Sequence, residues 1–398
     1  MHRQNIQSGG GQLFLFCSYL LLSPFYVFKS GGPQIADFFG VCLIGLFLWV
    51  SCVNPPMKIL KANKTSLVLL YLFLLYTSMV ALTNGFANGD ESPLLSILFF
   101  CYNIFIFTFV ITYFSNRLDY PSIFSTVRKV TVVCLLVQVV ASFILPPSLS
   151  GRGLVFFNNP NQLGYFSICI LSIYYLLSPI SIRRGSVKEG VTGFFVIGGC
   201  LYLAFLSLSK AAIVSIVVIF LYRGWRSPFV WILFIILMSF GISHLSEIEL
   251  AVKVFDRVSS IGTQSDDNLS GRGYDRIVNH PEYLLWGAGE GLTKRFVSQI
   301  GYYEIHSTWG TLLFSYGLTG LFLFCVFLYT LVRRAPISVF VYLLPLFLYG
   351  LTHQGLRFTL FWVALAFALV CSNHFRRERF KQFEVNSIIN DENKAVKV

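Results

Sequence analysis

Long apolar runs alternate with short polar segments along most of this 398-residue chain. Each run is roughly 17–25 residues long, which is the length that a helix needs to cross ~30 Å of hydrocarbon. The apolar residues are continuous, whereas those of a soluble domain would be patterned. About twelve such spans are predicted, with centres near residues 20, 43, 73, 104, 138, 170, 199, 216, 235, 320, 344 and 364. The pattern predicts an all-α polytopic membrane protein.

One polar segment, residues 244–305, is much longer than the others and gathers many charged side chains. Lipid-buried segments do not carry such a cluster, so this loop is predicted to lie outside the hydrocarbon layer. Its length predicts short helices of its own, one of them from Gly273 to about Val278. The chain is otherwise predicted to form a single integral membrane domain, residues 1–398, that ends in a polar tail at 376–398.

The positions of lysine and arginine predict the orientation of the spans. Alternate loops carry the basic residues, namely Lys58, Lys61, Lys64, Arg117, Arg128, Lys129, Arg183, Arg184, Lys188, Arg223, Arg226, Arg333 and Arg334. Short cytoplasmic loops hold the basic excess of membrane proteins, so both termini are predicted to be cytoplasmic and the 244–305 loop to face outward. The net charge of +12 is therefore largely a topology signal, and no basic patch with interleaved aromatic residues indicates nucleic-acid binding.

The nine cysteines lie within or at the edges of the apolar spans, and the sequence contains no Cys-x-x-Cys. This distribution predicts neither disulfides nor a thiolate metal site. No carboxylate cluster or multi-histidine spacing predicts another kind of metal site. The expectation is a protein without a metal ion or a cofactor.

His306 is the main candidate for chemistry, because it lies where the long outer loop meets the next span. A histidine there can accept a proton near neutral pH, since its ordinary pKa is about 6.5. The alternative is an interfacial histidine that helps to cap the next span with Ser307 and Thr308. Glu304 is a rival base, but a solvated carboxylate is weakly basic unless burial raises its pKa.

Basic residues of the predicted outer turns are candidates for binding an anion. Leu-Ser-Gly-Arg-Gly occurs twice, with its arginine at Arg152 and Arg272. Each copy is either a flexible turn near lipid headgroups or a phosphate ligand, because the planar guanidinium binds phosphate through two donors. Lys210, between two close spans, either extends to the surface or faces an anionic ligand. His353 and Arg357 flank another short outer turn.

Two further motifs predict turns. The run Gly287-x-Gly289-x-Gly291 opens no βαβ unit, so it predicts a tight turn rather than a nucleotide site. Asn159-Pro160 favours a turn and the start of a helix. The alternative for the asparagines near Pro160 is hydrogen bonding to sugar hydroxyls.

Taken in order, several motifs resemble the O-antigen ligase and O-antigen polymerase superfamily of bacterial inner-membrane glycosyltransferases. The matching segments are residues 157–164, 206–210, 270–273, 280–281, 286–291, 306–307 and 316–320. By motif the likeness covers roughly residues 150–325, and by topology it covers the whole chain.

The resemblance implies a GT-C-like helical fold with a large periplasmic loop. It also implies metal-independent transfer of a glycan from undecaprenyl diphosphate to a hydroxyl of an acceptor glycan. His306 and Arg272 would be catalytic, as the general base and as a ligand of the donor diphosphate. The other residues assigned to the diphosphate are Arg152, Lys210, Arg276 and Arg357.

Two departures separate this chain from the usual family pattern. Lys210 stands where the family usually carries arginine, and Ser307 follows the histidine where asparagine is frequent. The second difference favours a polymerase of lipid-linked repeat units, with a flippase and a chain-length regulator as partners. The alternatives are the ligase that moves the polymer onto lipid A core, a peptidoglycan glycosyltransferase and a transporter. The transporter is disfavoured, since no intramembrane ionisable relay or pair of interrupted spans is visible.

Overall fold

A computed structural model describes residues 10–29, 31–89, 91–146, 151–181, 187–224, 252, 270–291, 295–296 and 304–395. The regular elements of these residues are helices. They are α1 (Gly10–Leu22), α2 (Ile35–Val53), α3 (Met57–Ala62), α4 (Lys64–Asn88), α5 (Ser92–Ser115), α6 (Pro121–Ser142), α7 (Pro160–Ser181), α8 (Val187–Leu206), α9 (Lys210–Gly224), α10 (Asp275–Asn279), α11 (Thr308–Val332), α12 (Ile337–Tyr349) and α13 (Thr359–Ala395). Short 3-10 turns at Ser270–Arg272 and Pro281–Tyr283 flank α10.

Seven of the described helices are long and apolar enough to cross a membrane: α2, α4, α5, α6, α7, α11 and the Thr359–Glu384 part of α13. Three shorter apolar helices lie at Gly10–Leu22, Gly190–Leu206 and Ile337–Tyr349. Eleven of the predicted span centres fall on helices, and the centre near residue 235 lies outside the described residues. A helical membrane protein is therefore confirmed, but the described helices supply seven full-length spans rather than twelve.

The centre of the bundle is formed by α5, α7 and α13, and α13 packs against both of the others. The α4–α11 pair lies against this centre, and α9 and α12 pack on each other. Aromatic rings fill the interior: the ring of Phe16 lies 5.4 Å from that of Phe114 and 6.1 Å from that of Phe367. Because lipid gives apolar helices no hydrophobic reason to associate, such close packing must hold the bundle together.

The helix ends gather at two opposite ends of the bundle. At one end, called the basic end, lie the α5–α6 and α11–α12 turns and the extension of α13. The Arg377 guanidinium of α13 pairs there with Asp119 at 2.8 Å, and Arg379 donates to the Arg334 carbonyl at 3.3 Å. The other end, called the site end, holds the starts of α5, α7, α9, α11 and α13. That the basic end is cytoplasmic stays a prediction.

Two sequence expectations change in this region. Arg128 and Lys129, expected in a basic loop, lie inside α6. The buried Arg128 guanidinium lies 4.1 Å from the centre of the Tyr174 ring of α7 and donates to its hydroxyl. The first turns of α6 are polar, so a search for apolar runs does not detect this part of the helix. The expected tail is also helical, since α13 continues beyond Arg376 to Ala395.

Helix α11 is interrupted at Gly317, whose backbone adopts φ 67° and ψ −176°. The interruption frees the carbonyls of Phe314 and Ser315 from their helical hydrogen bonds. The amides of Ala288 and Gly289 donate to these two carbonyls at 2.9 Å each. Residues 284–291, called the inserted loop, therefore replace the missing part of the helix.

The inserted loop reaches far into the bundle. On the other side of the interruption, the Leu318 amide donates to the Leu284 carbonyl at 2.6 Å. The Tyr76 hydroxyl donates to the Trp286 carbonyl at 2.8 Å, and Tyr76 lies twelve residues before the last residue of α4, Asn88. A helix rises about 1.5 Å per residue, so this contact lies ~18 Å below the end of α4. Irregular backbone at such a depth requires protein partners for its polar groups, which α11 and Tyr76 provide.

Candidate functional site

The candidate site is centred on His353, in the turn between α12 and α13. Its imidazole stacks on the Tyr349 ring with the centroids 4.4 Å apart, and its Nδ1 lies 2.9 Å from the Thr352 hydroxyl. The His353 carbonyl accepts hydrogen bonds from the amide and the hydroxyl of Thr308, both at 3.0 Å. These contacts fix the turn to the start of α11.

Three predicted site residues surround this imidazole. Burial lowers the pKa of His353 well below its ordinary value, and the nearby Arg272, His306 when it is protonated, and Arg152 lower it further. The three residues come from separate segments of the chain, so the fold brings them together at the site end. His353 itself stays neutral near neutral pH, and the arginines supply the positive charge. Arg152, Arg272, His306 and His353 are called the His353 group below.

Arg152 fixes the turn between α8 and α9. Its Nε donates to the Ser207 carbonyl and its Nη2 to the Asn161 side-chain oxygen, both at 2.8 Å. Lys210 begins α9 directly after this turn. Asn161 thus has a structural contact, in agreement with the turn predicted around Pro160, which is the first residue of α7.

Arg272 holds the segment that carries His306. The Arg272 carbonyl accepts the His306 amide at 3.0 Å, and its Nη1 donates to the Thr352 carbonyl. Ser307, and not His306, caps α11, because its hydroxyl accepts the Gly310 amide at 3.0 Å. The His306 side chain is exposed at the start of α11.

Arg357 belongs to a second set of contacts, which we call the carboxylate group. Its Nε donates to Glu290 at 2.9 Å and its Nη2 to Glu304 at 2.8 Å. The Tyr316 hydroxyl donates to the other oxygen of Glu290, whose side chain is only 3% exposed. Burial alone would lower the pKa of Arg357, but the two carboxylates raise it above its ordinary value. Its charge is thus matched by Glu290 and Glu304.

Arg276 lies beside the carboxylate group. It is buried in α10 and lines a small cavity together with Glu290, Glu304 and Gln354. Burial lowers the pKa of Arg276, while Asp275 and Glu304 oppose this effect.

The structure places the six predicted site residues in two groups. Arg152, Arg272 and His306 join the His353 group, Lys210 adjoins it through the α8–α9 turn, and Arg276 and Arg357 face carboxylates.

Sequence reasoning missed two features of the site. His353 was named only as flanking a turn, although its position between predicted spans, like that of His306, was a usable signal. Glu290 was not singled out, because its neighbourhood of Gly287, Gly289 and Gly291 predicts only a turn. The turn is confirmed, since all three glycines have positive φ, between 80° and 90°.

The chemistry of the His353 group suits an anionic ligand together with a group that gives up a proton. Arginine donors bind phosphate oxygens, and a neighbouring histidine accepts protons near neutral pH. Within the described ranges, no group of three or more His, Cys, Asp or Glu side chains is placed to hold a metal ion.

No protein-family model matches the chain, and no curated protein matches its sequence. The resemblance to the O-antigen ligase and polymerase superfamily therefore stays a prediction that rests on motifs. The geometry of the His353 group is an independent observation, because it depends on the fold and not on those motifs.

The lowered pKa of His353 predicts that acidification destabilises the protein. The unfolded chain binds a proton at this residue below about pH 6.5, whereas the folded protein resists protonation. The unfolded state then binds more protons, so stability should fall as the pH decreases from about 7 to 5. Thermal unfolding of His353→Gln should show a weaker pH dependence than that of the wild type. Identical pH dependences would contradict a neutral imidazole at this position.

Proposed function

We propose that this protein transfers a glycan from an undecaprenyl-diphosphate carrier to a hydroxyl of an acceptor glycan, as a polymerase of lipid-linked repeat units. One observation supports the proposal above all. Arg152, Arg272 and His306, from three separate segments, lie around His353 at one end of an apolar helical bundle. A cationic site at the end of membrane-spanning helices suits a diphosphate whose lipid chain stays in the bilayer.

The reaction breaks the bond between the anomeric carbon and the diphosphate oxygen. The acceptor hydroxyl oxygen forms the new glycosidic bond, and its proton passes to the His306 imidazole. The departing diphosphate gains negative charge, which Arg272 and Arg152 stabilise through their positive charge and their remaining guanidinium donors. Lys210 at the adjoining turn contributes a point charge rather than a fork of donors.

The proposed orientation follows from the charge of the two ends. Cytoplasmic loops carry the basic excess in membrane proteins, so the basic end belongs in the cytoplasm and the His353 group at the periplasmic face. Such an orientation suits a bacterial inner-membrane enzyme that builds a surface polysaccharide.

The preference for a polymerase over a ligase rests on Ser307. In the fold Ser307 caps α11, and asparagine caps helices about equally well. The two functions share the same chemistry and differ in the acceptor. An experiment that identifies the accumulated glycan therefore separates them.

Replacing His306 by alanine is expected to reduce transfer by about a hundredfold or more, because a general base contributes roughly 10²–10⁴ to a rate. The measurement is a glycan gel from a host without the gene, complemented with the wild type, His306→Ala or His374→Ala. His374 lies in α13 at the basic end, so its substitution is the matched control. Immunoblots of membranes show that each variant is inserted in equal amount.

The pattern on the gel decides between the functions. Lipid A core capped by a single repeat, in the deletion and in His306→Ala alike, supports the polymerase. Bare core with accumulated lipid-linked polymer identifies the ligase instead. An unchanged ladder in the deletion strain overturns both readings.

A further inference from the structure

A cavity of about 110 Å³ lies at the basic end of the bundle, whereas the His353 group lies at the site end. It is formed by the start of α4, the end of α11 and the middle of α13. Small polar side chains line its walls, and three arginines surround it: Arg333, Arg334 and Arg376. The proposed transfer reaction uses none of these residues.

The three guanidinium groups have no carboxylate partner among the described residues. Two carboxylates at this end of the bundle pair with other basic residues: Asp119 with Arg377 at 2.8 Å, and Glu378 with Lys381 at 3.2 Å. The positive-inside rule explains why arginines occur at this end, but not why three of them line one polar cavity. Like charges around a cavity repel each other, and an anion bound between them would offset this repulsion.

The wall of the cavity is ordered by hydrogen bonds and offers further donors. The Asn373 amide donates to the Asn63 side-chain oxygen at 2.9 Å and to the Ser115 hydroxyl at 3.4 Å. Thr65 and Ser66 belong to the first turn of α4, a helix of 25 residues whose axis ends at the cavity. First-turn amides have no acceptor within their own helix, and the helix dipole favours negative charge there.

We propose that this cavity binds the phosphate headgroup of an anionic membrane phospholipid. Exposed apolar side chains beside the cavity support a lipid rather than a soluble anion. On α4 they are Val68, Leu72 and Leu75, at helical spacing on one face and 45%, 45% and 58% exposed. On α11, the exposed side chain of Tyr329 is adjacent in sequence to Thr330, which lines the cavity. A headgroup in the cavity would place its acyl chains along these stripes.

The test compares lipids on the detergent-purified full chain. Thermal stability and lipid binding by native mass spectrometry are measured with phosphatidylglycerol, with phosphatidylcholine of the same acyl chains, and with inorganic phosphate. We expect phosphatidylglycerol to stabilise the wild type more than the other two. The triple variant Arg333→Gln, Arg334→Gln, Arg376→Gln should bind phosphatidylglycerol about a hundredfold more weakly, because each arginine near the lipid surface contributes to the binding of anionic headgroups.

The matched control removes the same charge from the same end. In Lys58→Gln, Arg377→Gln, Lys381→Gln the residues that line the cavity are unchanged, so preferential binding of phosphatidylglycerol should persist. Equal losses in both triple variants would overturn the cavity as the site and indicate general surface charge. Equal stabilisation by inorganic phosphate would overturn the assignment to a lipid. The single variant Arg376→Gln, which changes the fold least, should show an intermediate loss, and wild-type affinity in this variant would also contradict the proposal.

Discussion

Replacing Gly287 by alanine is expected to remove most of the folded protein. Gly287 adopts φ +89°, and an added Cβ would lie 2.4 Å from the Ser315 carbonyl oxygen and 2.5 Å from the Tyr316 Cα. Both neighbours are backbone atoms of α11 and cannot turn aside as a flexible side chain would. A positive φ costs an L-residue about 1–2 kcal/mol, and overpacking adds typically 1–3 kcal/mol or more. The total is a large part of the ~5–15 kcal/mol by which proteins are stable.

Gly89→Ala is the matched control for this prediction. Gly89 ends α4 with φ +62°, but no atom lies within 4 Å of the Cβ that alanine would add. Gly89→Ala therefore has the conformational cost of a positive φ but no steric clash. The measurement is the monodisperse fraction on size exclusion of detergent extracts, followed by thermal unfolding. Equal behaviour of the two variants would contradict the close contact between the inserted loop and α11.

Replacing Arg357 by methionine is expected to destabilise the protein by about 3–5 kcal/mol, because a buried charge that loses its partner is costly. The charge left behind is that of Glu290, whose side chain is 3% exposed. The double variant Arg357→Met, Glu290→Gln should recover much of the loss, since it removes both members of the buried pair. Thermal and chemical unfolding in detergent measure each step.

Arg377→Met provides the comparison at the protein surface. Its pair with Asp119 has side chains 44% and 58% exposed, and exposed pairs contribute about 0–1 kcal/mol. If Arg357→Met costs no more than Arg377→Met yet abolishes glycan transfer, the diphosphate role predicted from the sequence is favoured over the structural pair. A large loss of stability that the double variant restores supports the structural pair.

The helices of this protein follow from its sequence because lipid imposes one requirement on every span. A segment that lies in hydrocarbon must be apolar and long, and such segments are visible without knowledge of their neighbours. The rule fails where a helix is sheltered by protein. Arg128 is charged and yet helical and buried, because the Tyr174 ring and hydroxyl lie beside it.

The candidate site was predictable in its residue types but not in its grouping. Arg152, Arg272 and His306 have the chemistry of phosphate ligands and a base, and the fold places them around His353. Arg357 has the same chemistry, but its guanidinium group pairs with the carboxylates of Glu290 and Glu304. Nothing in the local sequence distinguishes the two situations, since Glu290 is 67 residues away along the chain.

The interruption of α11 at Gly317 could not be predicted from the sequence either. Gly317 lies in an apolar run that predicts an ordinary span, and a single glycine in such a run is common. Gly317 has a positive φ and packs against Leu285, whose carbonyl oxygen would lie only 2.4 Å from an added Cβ. The inserted loop belongs to a segment expected outside the membrane, because its polar neighbours dominate the hydropathy of that region.

The hydrogen bonds between the inserted loop and α11 link two parts of the chain that leave the ribosome at different times. Residues 284–289 are synthesised before residues 314–319, so their amides and carbonyls meet their partners only when the later segment arrives. Until then neither segment has its polar groups satisfied, and unsatisfied backbone is costly in hydrocarbon. The loop and the second half of α11 must therefore enter the bundle together, because each supplies the hydrogen-bond partners that the backbone of the other needs.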